Sequence, residues 1–169
     1  QVRPGTDGAL ALAMIDVAIK EKLFDDSFVR QWTNGTFLIR LDNGSALTEA
    51  DLFASGSADR FVAWDEIVGA PILYDSLTGG FERQSARLAI AGQYPIVTKD
   101  GSTIFCEPAF ARLAVLAAEF TPEKSSSITW VSPDKVRQAV HVLAAHRPVS
   151  MFMHNGVGQH TNATQTSRA

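Results

Sequence analysis

An α/β fold, part of a parallel-sheet domain that carries a β-rich hairpin insertion, is predicted by three features of this 169-residue sequence. Helical signals crowd the two ends of the chain, and short β-type runs separated by turn residues crowd its middle. An apolar run near the end, Val149-Ser150-Met151-Phe152-Met153, breaks into the glycine- and amide-rich loop His154-Asn155-Gly156-Val157-Gly158-Gln159-His160, followed by a new helix start. That order is half of a β–α–β unit, and it is where an open sheet presents backbone N–H groups and side-chain amides to a ligand. A similar junction, Arg3-Pro4-Gly5-Thr6-Asp7, leads from a strand edge at Gln1-Val2-Arg3 into the first helix. Both junctions stand so near the termini that the sequence reads as a stretch of a larger body.

The first helix is predicted over residues 7–22. Thr6 or Asp7 can cap it, and the acidic side chain suits the positive end of its dipole. Its interior is apolar nearly all round, interrupted by Asp16, which predicts burial on most sides. Asp25 or Asp26 caps a short helix through Phe28, Val29 and Trp32, and Asn34-Gly35 breaks it. Phe37-Leu38-Ile39-Arg40-Leu41 reads as a strand. Arg60-Phe61-Val62-Ala63-Trp64-Asp65 and Pro71-Ile72-Leu73-Tyr74-Asp75 read as two more around a Gly69 turn. Residues 94–98 and 102–107 flank Lys99-Asp100-Gly101, a hairpin signal.

Helical character returns at Pro108, with Phe110, Leu113, Ala117 and Phe120 at helical spacing. Thr121-Pro122-Glu123 and Ser132-Pro133-Asp134 each combine a cap with a proline in the first turn. The second opens an amphipathic helix whose apolar face is Val136, Ala139, Val140, Leu143 and Ala144, ended by Arg147-Pro148. Residues 1–36 and 108–169 therefore form an incomplete, Rossmann-like α/β region, and residues 37–107 the β-rich insertion.

Composition narrows the function classes. Hydrophobic residues make up 46% and charged residues 20%, as in a globular domain. The net charge is −3 and no basic stretch is interleaved with aromatics, so nucleic acid is not an expected partner. No run approaches the roughly 20 apolar residues of a membrane span. Cys106 is the single cysteine, which excludes an internal disulfide and a cysteine-built zinc or iron–sulfur site within the stretch. Three glycosylation sequons, at Asn34, Asn43 and Asn162, are read as chance.

Two loops could carry chemistry. In the second, Gly156 and Gly158 permit positive φ and close approach of a ligand, while Asn155 and Gln159 offer donors and acceptors. The helix that follows adds unpaired N–H groups for an anion, and His154 and His160 flank the loop. In the first, Asp7 could accept a bond from a base or ribose and Thr6 could donate to phosphate. Each loop also has a plain reading, as a strand-to-helix turn or a simple N-cap. Cys106 is read as a small buried strand residue rather than a nucleophile. Trp32, Trp64 and Trp130 are read as core or inter-layer residues, and Asp25-Asp26 and Asp65-Glu66 as a cap and a turn.

The ordered series of local patterns is more specific than any one of them. Arg3-Pro4-Gly5-Thr6-Asp7-Gly8-Ala9-Leu10-Ala11-Leu12-Ala13-Met14, Glu21-Lys22-Leu23-Phe24-Asp25-Asp26-Ser27-Phe28-Val29, Phe120-Thr121-Pro122-Glu123, Ile128-Thr129-Trp130-Val131 and Gly156-Val157-Gly158-Gln159-His160-Thr161-Asn162 follow one another. In that order they resemble the third-domain region of molybdopterin oxidoreductases of the dimethyl sulfoxide reductase superfamily. The β-rich middle looks like an insertion of some branches, including relatives of acetylene hydratase and of thiosulfate or polysulfide reductases. The chain departs from the usual pattern at Asn155, where several members carry Met, at Ala163, where many have Gly, and at Trp130, where Gly is usual.

The resemblance implies a catalytic subunit that binds molybdenum, or tungsten, through two molybdopterin guanine dinucleotides. It moves two electrons or an oxygen atom on a small-molecule substrate. Gly5, Thr6 and Asp7 would bind one guanosine end, and Asn155, Gly156, Gln159 and His160 would approach the pterin and the metal. The metal ligand lies upstream of this stretch, as do the cysteines of a 4Fe–4S cluster in members that have one. An electron-transfer iron–sulfur subunit is an implied partner. Cytoplasmic and periplasmic locations both fit. Two other readings come from different classes: a stand-alone nucleotide-binding regulatory α/β module, and a small hydrolase using Cys106.

Overall fold

The computed structural model describes residues 1–83 and 85–150. The chain divides into two compact units, Gln1–Phe24 with Ala114–Ala169, and Asp25–Leu113. Both helices and sheets are present, so the α/β class holds.

The first unit is built on α1 (Asp7–Lys20), α5 (Pro122–Thr129) and α6 (Pro133–Ala145). Its apolar cluster joins Ala13 and Val17 of α1 to Val136 and Val140 of α6, with Leu10, Met14, Leu23 and Val131 packed against them. The i, i+4 spacing of both pairs stacks them on one face of each helix. Leu143 and Ala144 are half-buried on that face, but Ala139 is exposed, so the buried stripe of α6 is narrower than its pattern predicts. Of the apolar residues in α1, Ala13 and Val17 are fully buried and most others are half-buried. Asp16 is 2% exposed and is held by Lys20 Nζ at 2.8 Å, one turn along the helix.

The capping signals of α5 and α6 mark their starts correctly. Thr121 Oγ1 accepts the Lys124 N–H at 3.4 Å, and Pro122 and Pro133 sit in the first turns, where a missing N–H costs nothing. α4 (Ala109–Ala118) runs from one unit into the other and buries Ala117, with Phe110 and Leu113 half-buried on the predicted face.

The second unit holds α2 (Asp26–Trp32), a short 3-10 turn (Asn34–Thr36), α3 (Glu49–Leu52) and six strands. Asp25 caps α2 by accepting the Phe28 N–H at 2.9 Å. The strands are β1 (Leu38–Arg40), β2 (Arg60–Asp65), β3 (Ala70–Asp75), β4 (Gly80–Phe81), β5 (Tyr94–Val97) and β6 (Thr103–Pro108). They make two three-stranded antiparallel sheets, ordered β1-β6-β5 and β2-β3-β4. Leu38, Leu47, Val62, Ile96 and Cys106 form the core, flanked by Trp64 stacked on Tyr94 with ring centroids 4.6 Å apart. Alternation in β2 sends Val62 and Trp64 to this core, while Ala63 joins Ile72 and Leu88 in a second cluster. Residues 46–48 bond to both sheets: the Leu47 N–H donates to Leu38 and its carbonyl accepts from Val62.

Some expectations change. Gln1-Val2-Arg3 forms no strand; instead the Arg3 N–H donates to the Thr129 carbonyl at 2.9 Å, which ties the segment to a helix end. The described strands all lie between Leu38 and Pro108, and their ladders are antiparallel, as the hairpin reading of that stretch expects. Val149 and Ser150 belong to no strand, and residues 151–153 of the predicted strand lie outside the described residues. Trp32 is 77% exposed and Trp130 68%, so only Trp64 of the three tryptophans packs in a core.

Two stability tests follow. A Cβ at Gly56 would overlap the backbone carbonyl of Glu49 and stand 2.8 Å from Ala50 N, neither of which is a flexible side chain. Gly56→Ala should lower stability by about 2 kcal/mol and the melting temperature by roughly 4–8 °C, read by thermal or urea unfolding. Asp100, in the β5–β6 turn, accepts from the Thr98 hydroxyl at 2.6 Å and from the Ser102 N–H at 3.0 Å, which holds its carboxyl down at about 2. Its folded value lies below the ordinary Asp value of about 3.9, so its contribution is full above that value and disappears as pH falls towards 2. NMR shifts of the turn amides should report that loosening, and Asp100→Asn should remove the pH response.

Candidate functional site

The Arg3–Asp7 turn is the part of the predicted site that lies within the described residues. Gly5 has φ +79, the left-handed region that glycine enters without steric penalty. Thr6 occupies the N-cap position of α1, and its carbonyl accepts the first helical N–H groups, from Ala9 at 3.1 Å and Leu10 at 3.2 Å. Its side chain does not cap. Thr6 Oγ1 donates to the Arg3 carbonyl at 2.7 Å, and the Thr6 N–H points to the same oxygen at 3.3 Å. Thr6 is thus the N-cap residue by position, while its hydroxyl hydrogen is directed to the turn rather than to the helix.

Asp7 is the first residue of α1 and is half-buried. No hydrogen bond or ion pair reaches its carboxylate from the described residues. A carboxylate in that position offers only acceptors and is stabilised by the positive end of the helix. It suits a partner with paired N–H donors, such as one edge of a guanine, and it repels a phosphate. The turn and carboxylate fit the guanosine part of a dinucleotide on those grounds.

The neighbouring helix end supplies the support. α5 closes at Trp130, whose φ of +64 and ψ of 12 are left-handed, with its N–H donating to Ser126 at 3.0 Å. A residue with a Cβ in this region is disfavoured by about 1 kcal/mol relative to glycine. The Arg3 guanidinium lies over the Trp130 ring, 5.4 Å from its centroid. The only sequence signal for this arrangement is the departure from glycine at position 130.

The other candidate residues divide clearly. Asn155, Gly156, Gln159 and His160 lie outside the described residues, as does the helix start after them. Cys106 is fully buried in the core of the second unit, and burial pushes its thiol up to about 11, so it holds almost no thiolate at neutral pH. Asp65 is also fully buried. Burial opposes its ionisation, but the Ile67 N–H, the Arg83 guanidinium and the Arg87 N–H outweigh this and keep its carboxyl below the usual range. Asp65 therefore closes its turn and is not a catalytic acid. His141 pairs with Glu21 at 2.8 Å, and no group of metal-binding side chains exists among the described residues. No described helix is long and apolar enough to cross a membrane.

Known proteins match the chain nearly end to end. It is 34% identical over 182 residues to the perchlorate reductase subunit alpha of Dechloromonas aromatica (strain RCB), covering 94% of this chain and 20% of that protein. It is 28% identical over 172 residues to the dimethylsulfide dehydrogenase subunit alpha of Rhodovulum sulfidophilum, covering 99% and 18%. It is 32% identical over 139 residues to the chlorate reductase subunit alpha of Ideonella dechloratans, covering 81% and 15%. The chain thus spans about a fifth or less of the length of these curated relatives. No family model matches it.

The Cys106 environment is directly testable. Iodoacetamide at pH 8 should leave the folded protein unmodified and label it fully in urea. Rapid labelling of the folded protein would show a solvent-facing thiol and reopen the nucleophile reading.

Proposed function

This chain belongs to the dimethyl sulfoxide reductase superfamily of molybdopterin oxidoreductases, and from that premise we propose that it is part of a catalytic subunit and holds the guanosine end of a molybdopterin guanine dinucleotide. The observation that carries the reading is the half-buried Asp7 carboxylate, unengaged among the described residues, beside the left-handed Gly5 in a turn closed by Thr6. Gly5 lets the backbone approach a base closely, and Asp7 accepts from its N–H edge. Thr6 holds the turn rather than the ligand.

The loop of Asn155, Gly156, Gln159 and His160 is assigned, on its resemblance alone, to the pterin and metal side of the same cofactor. When bound, that cofactor supplies two-electron redox or oxygen-atom-transfer chemistry at molybdenum, or tungsten, on a small-molecule substrate. The residues of this chain bind and orient it. Electrons would pass to or from an iron–sulfur partner subunit, with a 4Fe–4S cluster in the same catalytic subunit where its upstream cysteines exist. The reductases and dehydrogenases among the relatives support the redox class.

Two measurements test the reading. Asp7→Asn should weaken binding of guanosine monophosphate roughly 10-fold or more, the weight of a hydrogen-bonded charge, while leaving the melting temperature within a degree or two. Equal affinity in the variant would remove Asp7 from the site. Metal and pterin analysis should find molybdenum or tungsten with pterin in the whole catalytic subunit. The 169-residue chain alone should carry much less than one equivalent, because a cofactor of that size needs more surface than one turn and one loop. Stoichiometric pterin on this chain would contradict the second expectation.

A further inference from the structure

The Trp130 side chain is not accounted for by packing among the described residues. It stands in a left-handed conformation that glycine adopts freely, and 68% of it remains exposed, so burial does not offset the strain. Among the described residues, its ring carries the Arg3 guanidinium, 5.4 Å from the ring centroid. Arg3 is the hub of the turn before α1. Its N–H donates to the Thr129 carbonyl at 2.9 Å, next to Trp130 in the chain. Its carbonyl accepts from both the hydroxyl and the N–H of Thr6.

We infer that Trp130 is a positioning residue, which pins Arg3 against the end of α5 and so holds the Gly5-Thr6-Asp7 turn in one conformation. The ring fixes the side chain of Arg3 and the Thr129 carbonyl fixes its backbone. With both ends of Arg3 fixed, its carbonyl has one position, and Thr6 and the start of α1 follow it. A turn already ordered loses less conformational entropy when a ligand arrives. The benefit to a guanosine ligand rests on the reading of Asp7 proposed above; the pinning itself does not.

The test compares the unaltered protein with Trp130→Gly, Trp130→Phe and Arg3→Ala. The readouts are hydrogen exchange at the Gly5, Thr6, Asp7 and Gly8 amides, thermal unfolding and binding of guanosine monophosphate. Trp130→Gly removes the left-handed strain, so its melting temperature should hold or rise. Exchange in the turn should nonetheless speed up about threefold, the size of an exposed cation–π contact, and the nucleotide should bind about threefold more weakly. Trp130→Phe keeps a ring and should restore both. Arg3→Ala should loosen the turn as Trp130→Gly does. Unchanged exchange in Trp130→Gly would overturn the inference, as would a lower melting temperature with exchange raised uniformly across α1, α5 and α6. If the unaltered protein fails to bind the nucleotide, the guanosine reading falls, and exchange in the turn still decides the role of Trp130.

Discussion

The close approach of α1 and α5 is the constraint on which the candidate site depends. Ser125 and Thr129 are fully buried on α5, and buried hydroxyls are tolerated only when they are hydrogen-bonded. The Ser125 hydroxyl has the Phe120 carbonyl at 3.1 Å and the Ala9 carbonyl of α1 at 3.4 Å, and the Thr129 hydroxyl donates back to Ser125 at 2.8 Å. Small side chains that satisfy themselves on backbone leave room for the helices to meet. The Thr129 carbonyl, at the end of α5, is then within reach of the Arg3 N–H. Larger or unsatisfied residues at 125 and 129 would separate the helices and release the turn from its anchor.

Much of this fold was legible in the sequence because its signals are local. Asp25, Thr121, Pro122 and Pro133 announce helix starts through chemistry that acts within one turn, and all mark the observed starts. Lys99-Asp100-Gly101 likewise announces the β5–β6 hairpin. The pairing of β1 with β6 joins Leu38 to Pro108 across the whole insertion, and no local pattern encodes it. The stitching role of residues 46–48 was invisible for the same reason. The capping box that starts α3 at Thr48 and Asp51 was readable, but a four-residue helix leaves no periodicity to confirm it. In the site, the sequence identified Thr6 and Asp7 as polar residues at a helix start. It could not say that the Thr6 hydroxyl turns back to Arg3 while the Asp7 carboxylate stays free among the described residues.

That division of labour between neighbouring residues has a physical logic. A hydroxyl carries one hydrogen, and once it is spent on the Arg3 carbonyl it closes the turn and offers a ligand only lone pairs. A carboxylate has only acceptors, so it cannot close a turn on a carbonyl, and at a helix N-terminus it is most stable with its oxygens facing donors. The proposed selection for a purine edge over a phosphate follows from that sign. The dipole alone would attract the phosphate, but the Asp7 charge offsets it and favours N–H donors over the anion.

Among the described residues of the first unit, two non-glycine residues have positive φ, Lys22 after α1 and Trp130 after α5, and comparing them separates backbone need from side-chain role. Each is followed by an apolar residue, Leu23 and Val131, that packs against the same helical core. A left-handed residue at a helix end reverses the chain and delivers the next side chain to the core, so the conformation is a packing requirement in both places. Glycine would meet that requirement with less strain at either position. Lys22 is an exposed, solvated side chain whose identity the turn does not need to explain. Trp130 instead places a large, mostly exposed ring beneath the Arg3 guanidinium, in the turn before α1. Packing accounts for the left-handed backbone at position 130, and the contact with Arg3 is what distinguishes tryptophan there from the glycine that the backbone would prefer.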